Sequence, residues 1–435
     1  MSAAPGAEAI LAVTSLSHDG RGVAHRDGKT LFIQGALPGE RVSVRKLRRK
    51  RSYDEAELDQ VLEKSADRAT PRCAHFGVCG GCSLQHVDPA AQLRFKQQHL
   101  LEELRRIGRV EPGEVMEALT APPWQYRRRA RLGARFVPRK EKVVVGFRER
   151  AAPLVADLKR CEILCEPFDT LIAPLSELLT GLSIRAHIPQ VEIAGADNAA
   201  ALVLRILQEP TAADLDSLRA FALRHAVQLH LQPGGIESVR PLAEYPPLLY
   251  RLDEFAIEIE FRPTDFVQIN PVLNSRMVSR ALSLLAASTH DRVLELFCGL
   301  GNFTLPLARS AAHVLGVEGD PGLLERARCN AQRNGIANVE LHSANLEAID
   351  ADLSWTRRAY DRVLLDPPRV GARGALSLIA QSGAQRVVYI SCHPGSLARD
   401  AGILVHELGF NLRSVGVMDM FPHTSHVESV AVFGR

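Results

Sequence analysis

The residues able to do covalent chemistry converge on one short stretch. Positions 387–390 (VVYI) are apolar and run directly into Ser391, Cys392, His393 and Pro394. A short apolar run closed by small and turn-forming residues predicts a buried parallel strand whose carboxyl end opens into a loop. In open α/β sheets ligands sit outside that end of the strands, so Cys392 is delivered to a crevice where a thiolate can act as a nucleophile. The default for an isolated cysteine is a buried structural thiol. The assignment therefore depends on what else arrives at the same sheet end.

Several polar residues do. From about residue 263 the chain alternates strands and helices, with strands predicted at 292–297, 313–318, 339–342, 361–366 and 386–391 and helices at 322–334 and 395–408. Such alternation implies a mostly parallel sheet with right-handed crossovers. A final pair, 412–418 and 427–433, fits an antiparallel hairpin at the sheet edge. The first strand runs into LELFCGLGNFT, with Gly299 and Gly301 at a strand-to-helix turn that lets the backbone approach a nucleotide-like ligand. Glu318 ends the next strand, 17 residues beyond Gly301, where a carboxylate accepts hydrogen bonds from ribose hydroxyls. Position 304 is Thr, so the third glycine of a dinucleotide fingerprint is missing. This argues against NAD and for S-adenosyl-L-methionine, which needs no pyrophosphate clamp. Asn345 after the third strand is placed to reach the adenine, and Asp366 after the fourth lies beside the methyl donor. Each residue alone has an ordinary turn or strand-end role; their recurrence at successive strand ends favours a cofactor site.

A second concentration of chemistry is PRCAHFGVCGGCSLQH, where Cys73, Cys79 and Cys82 lie within ten residues. Gly80 and Gly81 allow the tight fold that brings thiols to one metal centre. Four thiolates are the usual requirement, and Cys161 and Cys165 are the next candidates. A triplet plus one distant cysteine favours an iron-sulfur cluster over zinc, which more often takes two closely spaced pairs.

The remaining chain supplies binding surface. At 435 residues, about three domains are expected. Residues 1–70 hold about five short strands between turn signals such as Asp19-Gly20 and Pro38-Gly39, which suits a small barrel of the oligonucleotide-binding type. Between two strands stands RKLRRKR (45–51), with six positive charges in seven residues. A solvated strand end is the bland reading; on a small barrel, nucleic-acid contact is favoured. Residues 71–262 form a central α+β domain. It contains a helix opened by Asp88-Pro89 with Leu93, Leu100, Leu104 and Ile107 on one face, and the run YRRRARLGARF. Arg129, Arg131 and Arg135 alternate there and suit phosphate contact, unless their charge merely protects a strand edge. Residues 263–435 form the α/β domain. The net charge is only +3, so the basic blocks, rather than overall charge, point to an anionic polymer. No stretch reads as a membrane span or export signal, so a cytoplasmic protein with reduced cysteines is expected.

Taken with DFVQIN (265–270), the segments LELFCGLGNFTLPLA, LLDPPR, YISCHPGSLARD and MDMFPHTSHVESV resemble the RNA uracil-C5 methyltransferases. SLSHDGRGVAHRDGK and GALPGERV resemble a TRAM domain, an RNA-binding barrel. The likeness extends over nearly the whole chain and, with barrel and cysteines both present, is closest to the branch acting on 23S ribosomal RNA rather than on tRNA. It implies a class I (Rossmann-like) methyltransferase domain making 5-methyluridine. It assigns cofactor contacts to Gln268, Phe297, Asn302, Glu318, Asn345 and Asp366, and [4Fe-4S] ligands to Cys73, Cys79, Cys82 and Cys161, leaving Cys165 a bystander. It makes Cys392 the nucleophile and Glu428 the base, and packs the helix near 93–124 on the methyltransferase domain. No DNA or membrane partner is implied. A cytosine-C5 enzyme usually carries a second Cys where this chain has Arg369. The alternative of another class is a noncatalytic RNA-binding iron-sulfur protein.

Overall fold

The computed structural model describes residues 10–435. Two compact units emerge. The first runs to His99 and takes in Glu149–Pro153 and Phe421–His426; the second comprises Leu100–Arg148, Leu154–Met420 and Val427–Arg435.

In the first unit, β1 (Leu11–Ala12), β2 (Ser15–Leu16), β3 (Gly22–Arg26), β4 (Lys29–Gln34), β5 (Arg41–Arg49) and β6 (Tyr53–Glu63) form one sheet in the order β1-β5-β6-β4-β3-β2. Alternate residues, among them Ala24, Leu31, Ile33, Val42 and Ala56, are buried in a common core. The basic block lies on β5, where register shifts against β6 mark bulges. Part of its charge is matched across the ladder: Lys46 Nζ lies 3.0 Å from Glu57 and Arg45 3.6 Å from the same carboxylate. Arg48, Arg49 and Arg51 are exposed. Helix α1 (Pro89–Glu103) begins as expected, with Asp88 Oδ1 accepting the Ala90 amide at 2.9 Å and Pro89 opening the first turn.

The second unit contains two larger sheets. One is built from β8 (Arg129–Val137), β9 (Lys142–Gly146), β10 (Gln190–Gly195), β11 (Ala200–Arg205), β12 (Val227–Gln232) and β13 (Arg240–Pro241), with α2 (Phe168–Gly181) and α3 (Ala212–His225) between its strands in sequence. A hairpin, β14 (Leu248–Leu252) and β15 (Ile257–Phe261), and helix α4 (Pro271–Leu285) lead into the other. Its strands are β7 (Glu114–Val115), β16 (Arg292–Leu296), β17 (His313–Glu318), β18 (Val339–Ser343), β19 (Arg362–Leu365), β20 (Arg386–Ser391), β21 (Asn411–Met418) and β22 (Glu428–Gly434). Helices α5 (Thr304–Ala308), α6 (Pro321–Arg333), α7 (Leu376–Gln381) and α8 (Pro394–His406) connect them. The order β18-β17-β16-β19-β20-β22-β21-β7 reverses direction at β16, which creates the crevice that α/β sheets use for ligands. Val387 to Ile390 on β20 are fully buried, as a central strand with both faces covered requires. The wide helical turn Leu104–Gly108 packs on α8: a Cβ on Gly108 would stand 2.4 Å from the Ala398 carbonyl oxygen, so only glycine fits.

Glu40 ties the first sheet to the chain that follows it. Its side chain is fully buried and accepts the Leu37 amide at 2.8 Å, Arg68 Nη2 at 2.8 Å and the Ser65 amide at 3.4 Å. Burial alone would raise its pKa; these donors outweigh burial and hold the carboxyl below the usual glutamate range. Glu40→Gln should therefore destabilise the first unit by about 3 kcal/mol at neutral pH, measured by hydrogen exchange of β3 to β6 in the full chain. The folded carboxyl titrates lower than the unfolded one. Its contribution is full above the ordinary glutamate range and fades as pH falls through the folded value, so the deficit should shrink below about pH 4.

Candidate active site

The turn after β16 is shaped for close approach. Phe297, Gly299 and Gly301 have φ of 65°, 55° and 93°, so the chain leaves the strand through left-handed conformations that glycine adopts without strain. Glu318, at the end of β17, is locked by backbone donors. Its Oε2 accepts the Gly299 amide at 3.0 Å, and its Oε1 accepts the Gly319 and Asp320 amides at 2.8 and 3.0 Å. A carboxylate has about four acceptor directions, so a fixed Glu318 retains capacity for ribose hydroxyls.

Two further predicted cofactor residues are held from behind. Asn302 forms a reciprocal amide pair with Asn274 (2.9 and 3.0 Å) and accepts the Tyr250 hydroxyl at 3.1 Å. Its side chain is thereby fixed in orientation, with one Nδ2 hydrogen left uncommitted by these bonds. Gln268 donates to Asp366 Oδ2 at 3.4 Å, while its backbone carbonyl accepts Arg128 Nε at 3.0 Å. Asn345 stands exposed after β18, its Oδ1 accepting the Glu347 amide at 3.0 Å.

The groups expected from the sequence to react, Cys392 and Glu428, meet where β20 and β22 pair. Ser391 lies opposite Ser429 in the antiparallel ladder, so Cys392, just past one, and Glu428, just before the other, leave neighbouring strands at one level. His393 caps α8 with its side chain, accepting the Ser396 amide at 3.1 Å. Burial pushes the Cys392 thiol up to about 11; Glu428 and Asp366 add to this, and Arg369 opposes it. Burial likewise raises Asp366 to about 7. Glu428 is 4% exposed and is driven well above the carboxylate range by burial and by Asp366, with Arg369 opposing. Two adjacent buried carboxyls do not both ionise near neutrality, so the pair retains a proton.

The fold and family follow from known proteins. The family model described as tRNA (Uracil-5-)-methyltransferase matches residues 250–435, and the TRAM domain model matches residues 5–58. The 23S rRNA (uracil(1939)-C(5))-methyltransferase RlmD of Xanthomonas campestris pv. campestris (strain 8004) is 50% identical over 98% of this chain and 96% of its own. The RlmD of Alkalilimnicola ehrlichii matches with the same identity and coverage. The chain belongs to the RlmD family of RNA (uracil-C5)-methyltransferases. The crystal structure of the Pyrococcus abyssi tRNA (uracil-54, C5)-methyltransferase with S-adenosyl-L-homocysteine has the same fold. Its TM-score is 0.76 at 22% identity, over 98% of this chain and 99% of that one.

Against this RlmD-family background, sequence reasoning missed three features. Glu295 on β16 is 1% exposed, and burial raises it to about 8. The signal was available, since an acid inside the apolar run VLELF has no water to face. Arg128 is buried over the Tyr250 ring at 4.7 Å, underneath Gln268 and Asn302 rather than on the surface. Arg369 was read only as a residue that is not Cys, although it is the cation acting on both Cys392 and Glu428. The arginine run does alternate, but Arg129 bonds the Pro263 carbonyl and Arg131 pairs with Glu192 at 2.8 Å, so neither guanidinium is uncommitted.

Cys73, Cys79 and Cys82 share one loop of the first unit, whereas Cys161 belongs to the second. None of the four is joined in a disulfide. Cys79 Sγ accepts the Gly81 amide at 3.4 Å, and Arg150, partly buried, lies near both Cys79 and Cys82. Such donors suit thiolate ligands. Among the described residues, no three His, Cys, Asp or Glu side chains are gathered into a metal-holding group.

Because Glu428 raises the Cys392 thiol, Glu428→Gln should speed iodoacetamide alkylation of Cys392 at pH 8 by about threefold or more, measured by mass spectrometry of the Cys392 peptide.

Proposed function

We propose that this protein transfers the methyl group of S-adenosyl-L-methionine to C5 of one uridine of 23S ribosomal RNA, the position named as uracil 1939 in its relatives, to give 5-methyluridine in the cytoplasm. The observation that carries this reading is the meeting of Cys392, Glu428, Asp366 and Arg369 at the sheet end, in a chain half identical to RlmD enzymes. Uracil C5 is too weak a nucleophile to take a methyl group unaided. Addition of the Cys392 thiolate to C6 forms an S–C bond and moves the electron pair to C5 as an enolate-like carbon. Glu318, Gln268, Phe297, Asn302, Asn345 and Asp366 would hold S-adenosyl-L-methionine, which would supply an electrophilic methyl group. The C5 electron pair would form the new C–C bond to that methyl as the methyl–sulfur bond breaks, its electrons leaving on the thioether S-adenosyl-L-homocysteine. Glu428 then removes the C5 proton, the C5–C6 double bond re-forms, and the Cys392 sulfur leaves.

The resting thiol is protonated at neutral pH, since it titrates at about 11. Adduct formation should therefore accelerate as pH rises between about 7 and 9, because the thiolate fraction grows roughly tenfold per pH unit below the pKa. The target base must leave its stack, at a cost of a few kcal/mol; contacts from the N-terminal sheet and its exposed Arg48, Arg49 and Arg51 are proposed to offset that cost. We further propose that Cys73, Cys79, Cys82 and Cys161 hold a [4Fe-4S] cluster with a structural or RNA-positioning role.

Cys392→Ala should abolish 5-methyluridine formation and the adduct with 5-fluorouridine RNA. Glu428→Gln should form the methylated adduct and release it at least about a hundredfold more slowly. An undiminished methylation rate in Cys392→Ala would sink the mechanism. Mapping 5-methyluridine in 23S rRNA and tRNA from cells lacking the protein separates the two RNA substrates: loss in tRNA alone would overturn the ribosomal assignment. For the cluster, anaerobically purified protein should contain about four iron and four labile sulfide per chain, and Cys79→Ser should lose both.

A further inference from the structure

Five arginines fall between positions 127 and 135, a run that reads as a row of phosphate contacts. Arg128 is the one the fold takes inside, 3% exposed and just ahead of β8. A charge withdrawn from solvent needs partners, and those of Arg128 lead to the cofactor residues.

Two consecutive carbonyls of the DFVQIN segment are taken by this one residue. Its amide donates to Ile269 at 2.9 Å and its Nε to Gln268 at 3.0 Å. The segment is anchored again at each end, by Asp265, which accepts Arg326 Nη2 at 2.7 Å, and by Asn270, which caps α4 by accepting the Leu273 amide at 3.1 Å. Between those anchors stands Gln268, whose side chain donates to Asp366 at 3.4 Å. The guanidinium lies 4.7 Å over the buried ring of Tyr250, and the Tyr250 hydroxyl donates to Asn302 at 3.1 Å. Nη1 stands 3.7 Å from Asp197 Oδ1, while Asp197 Oδ2 accepts the Arg251 amide of β14 at 2.8 Å. A lysine could balance Asp197. It has no planar group that donates to the Gln268 carbonyl while its face rests on Tyr250.

We infer that Arg128 is a positioning residue of the cofactor site rather than an RNA contact: it sets Gln268 through its carbonyl and supports Asn302 through Tyr250. This rests on the reading of Gln268 and Asn302 as contacts of S-adenosyl-L-methionine. Asn302 keeps its amide pair with Asn274 whatever Tyr250 does, so the Gln268 arm carries most of the effect.

The test is a double-mutant cycle on the full chain, read as affinity for S-adenosyl-L-homocysteine by titration calorimetry without RNA. Arg128→Met and Gln268→Ala should each weaken binding about tenfold, while Arg128→Met in the Gln268→Ala background should add less than about threefold. A role in folding alone would lower the melting temperature or the binding stoichiometry and leave the affinity of the folded protein unchanged. In parallel, Arg128→Met should not alter the salt dependence of binding to a 23S rRNA fragment spanning uracil 1939, because the buried guanidinium meets no phosphate. Wild-type affinity for S-adenosyl-L-homocysteine in Arg128→Met, full additivity in the cycle, or a salt slope reduced by about 0.7, one phosphate contact, each overturns the inference. Should melting show that Arg128→Met is not folded, Arg128→Lys keeps the charge beside Asp197 and carries the same cycle, with binding weakened about fivefold. An unchanged affinity in Gln268→Ala would reject Gln268 as a cofactor contact, whereas a loss in Gln268→Ala with none in Arg128→Met would reject only the role of Arg128.

Discussion

Two carboxyl groups withdrawn from water at one sheet end, Asp366 and Glu428, set the terms for everything around them. Desolvation and mutual repulsion make full ionisation costly, so a proton stays in the crevice and the neighbouring thiol stays protonated. An environment that suppresses charge at rest suits the proposed reaction, in which charge would appear briefly on sulfur, on the pyrimidine and on a carboxylate in turn. Arg369 moderates the repulsion, Gln268 binds one carboxyl, and the β20–β22 ladder fixes the other against Cys392. Around this point the scaffold is dry and closely packed, with Val387, Tyr389, Ala398, Val415 and Phe433 sharing one core.

The cofactor side follows a different rule. There the polar groups are satisfied by backbone amides and by neighbouring side chains rather than left in tension. Glu318 takes three amides, and Asn302 is occupied by Asn274 and Tyr250. This gives a rigid cradle whose shape does not depend on protonation, beside a reactive corner whose behaviour does.

Much of this was legible because it is local. The strand at 386–391, the helix beginning at Pro394 and the left-handed glycines after β16 are written in apolar runs and turn residues that act over a few positions. The pairing of Cys392 with Glu428 came from family resemblance rather than from periodicity, since nothing near residue 392 specifies a partner 36 positions on. What stayed hidden is long-range. Arg128 reads as one of a run of surface cations until Tyr250 and Gln268 fold over it, and Arg131 appears unpaired until Glu192 arrives from β10. Asp400 sits in a helix that reads as ordinary amphipathic packing, and only the approach of Ala372 and Tyr389 gives its carboxylate a task.

The small strand β7 pairs in parallel with β21, Glu114 opposite Ser414 and Val115 opposite Val415. Without it, the final hairpin would present a row of unpaired amides and carbonyls, the template on which separate copies add strand to strand. A two-residue strand is too short to propagate such pairing, so it blunts the edge it completes. The stretch that carries the methyltransferase signature, 250–435, is therefore not a self-sufficient piece of protein: cut out alone, it would lose the strand that guards its edge against aggregation.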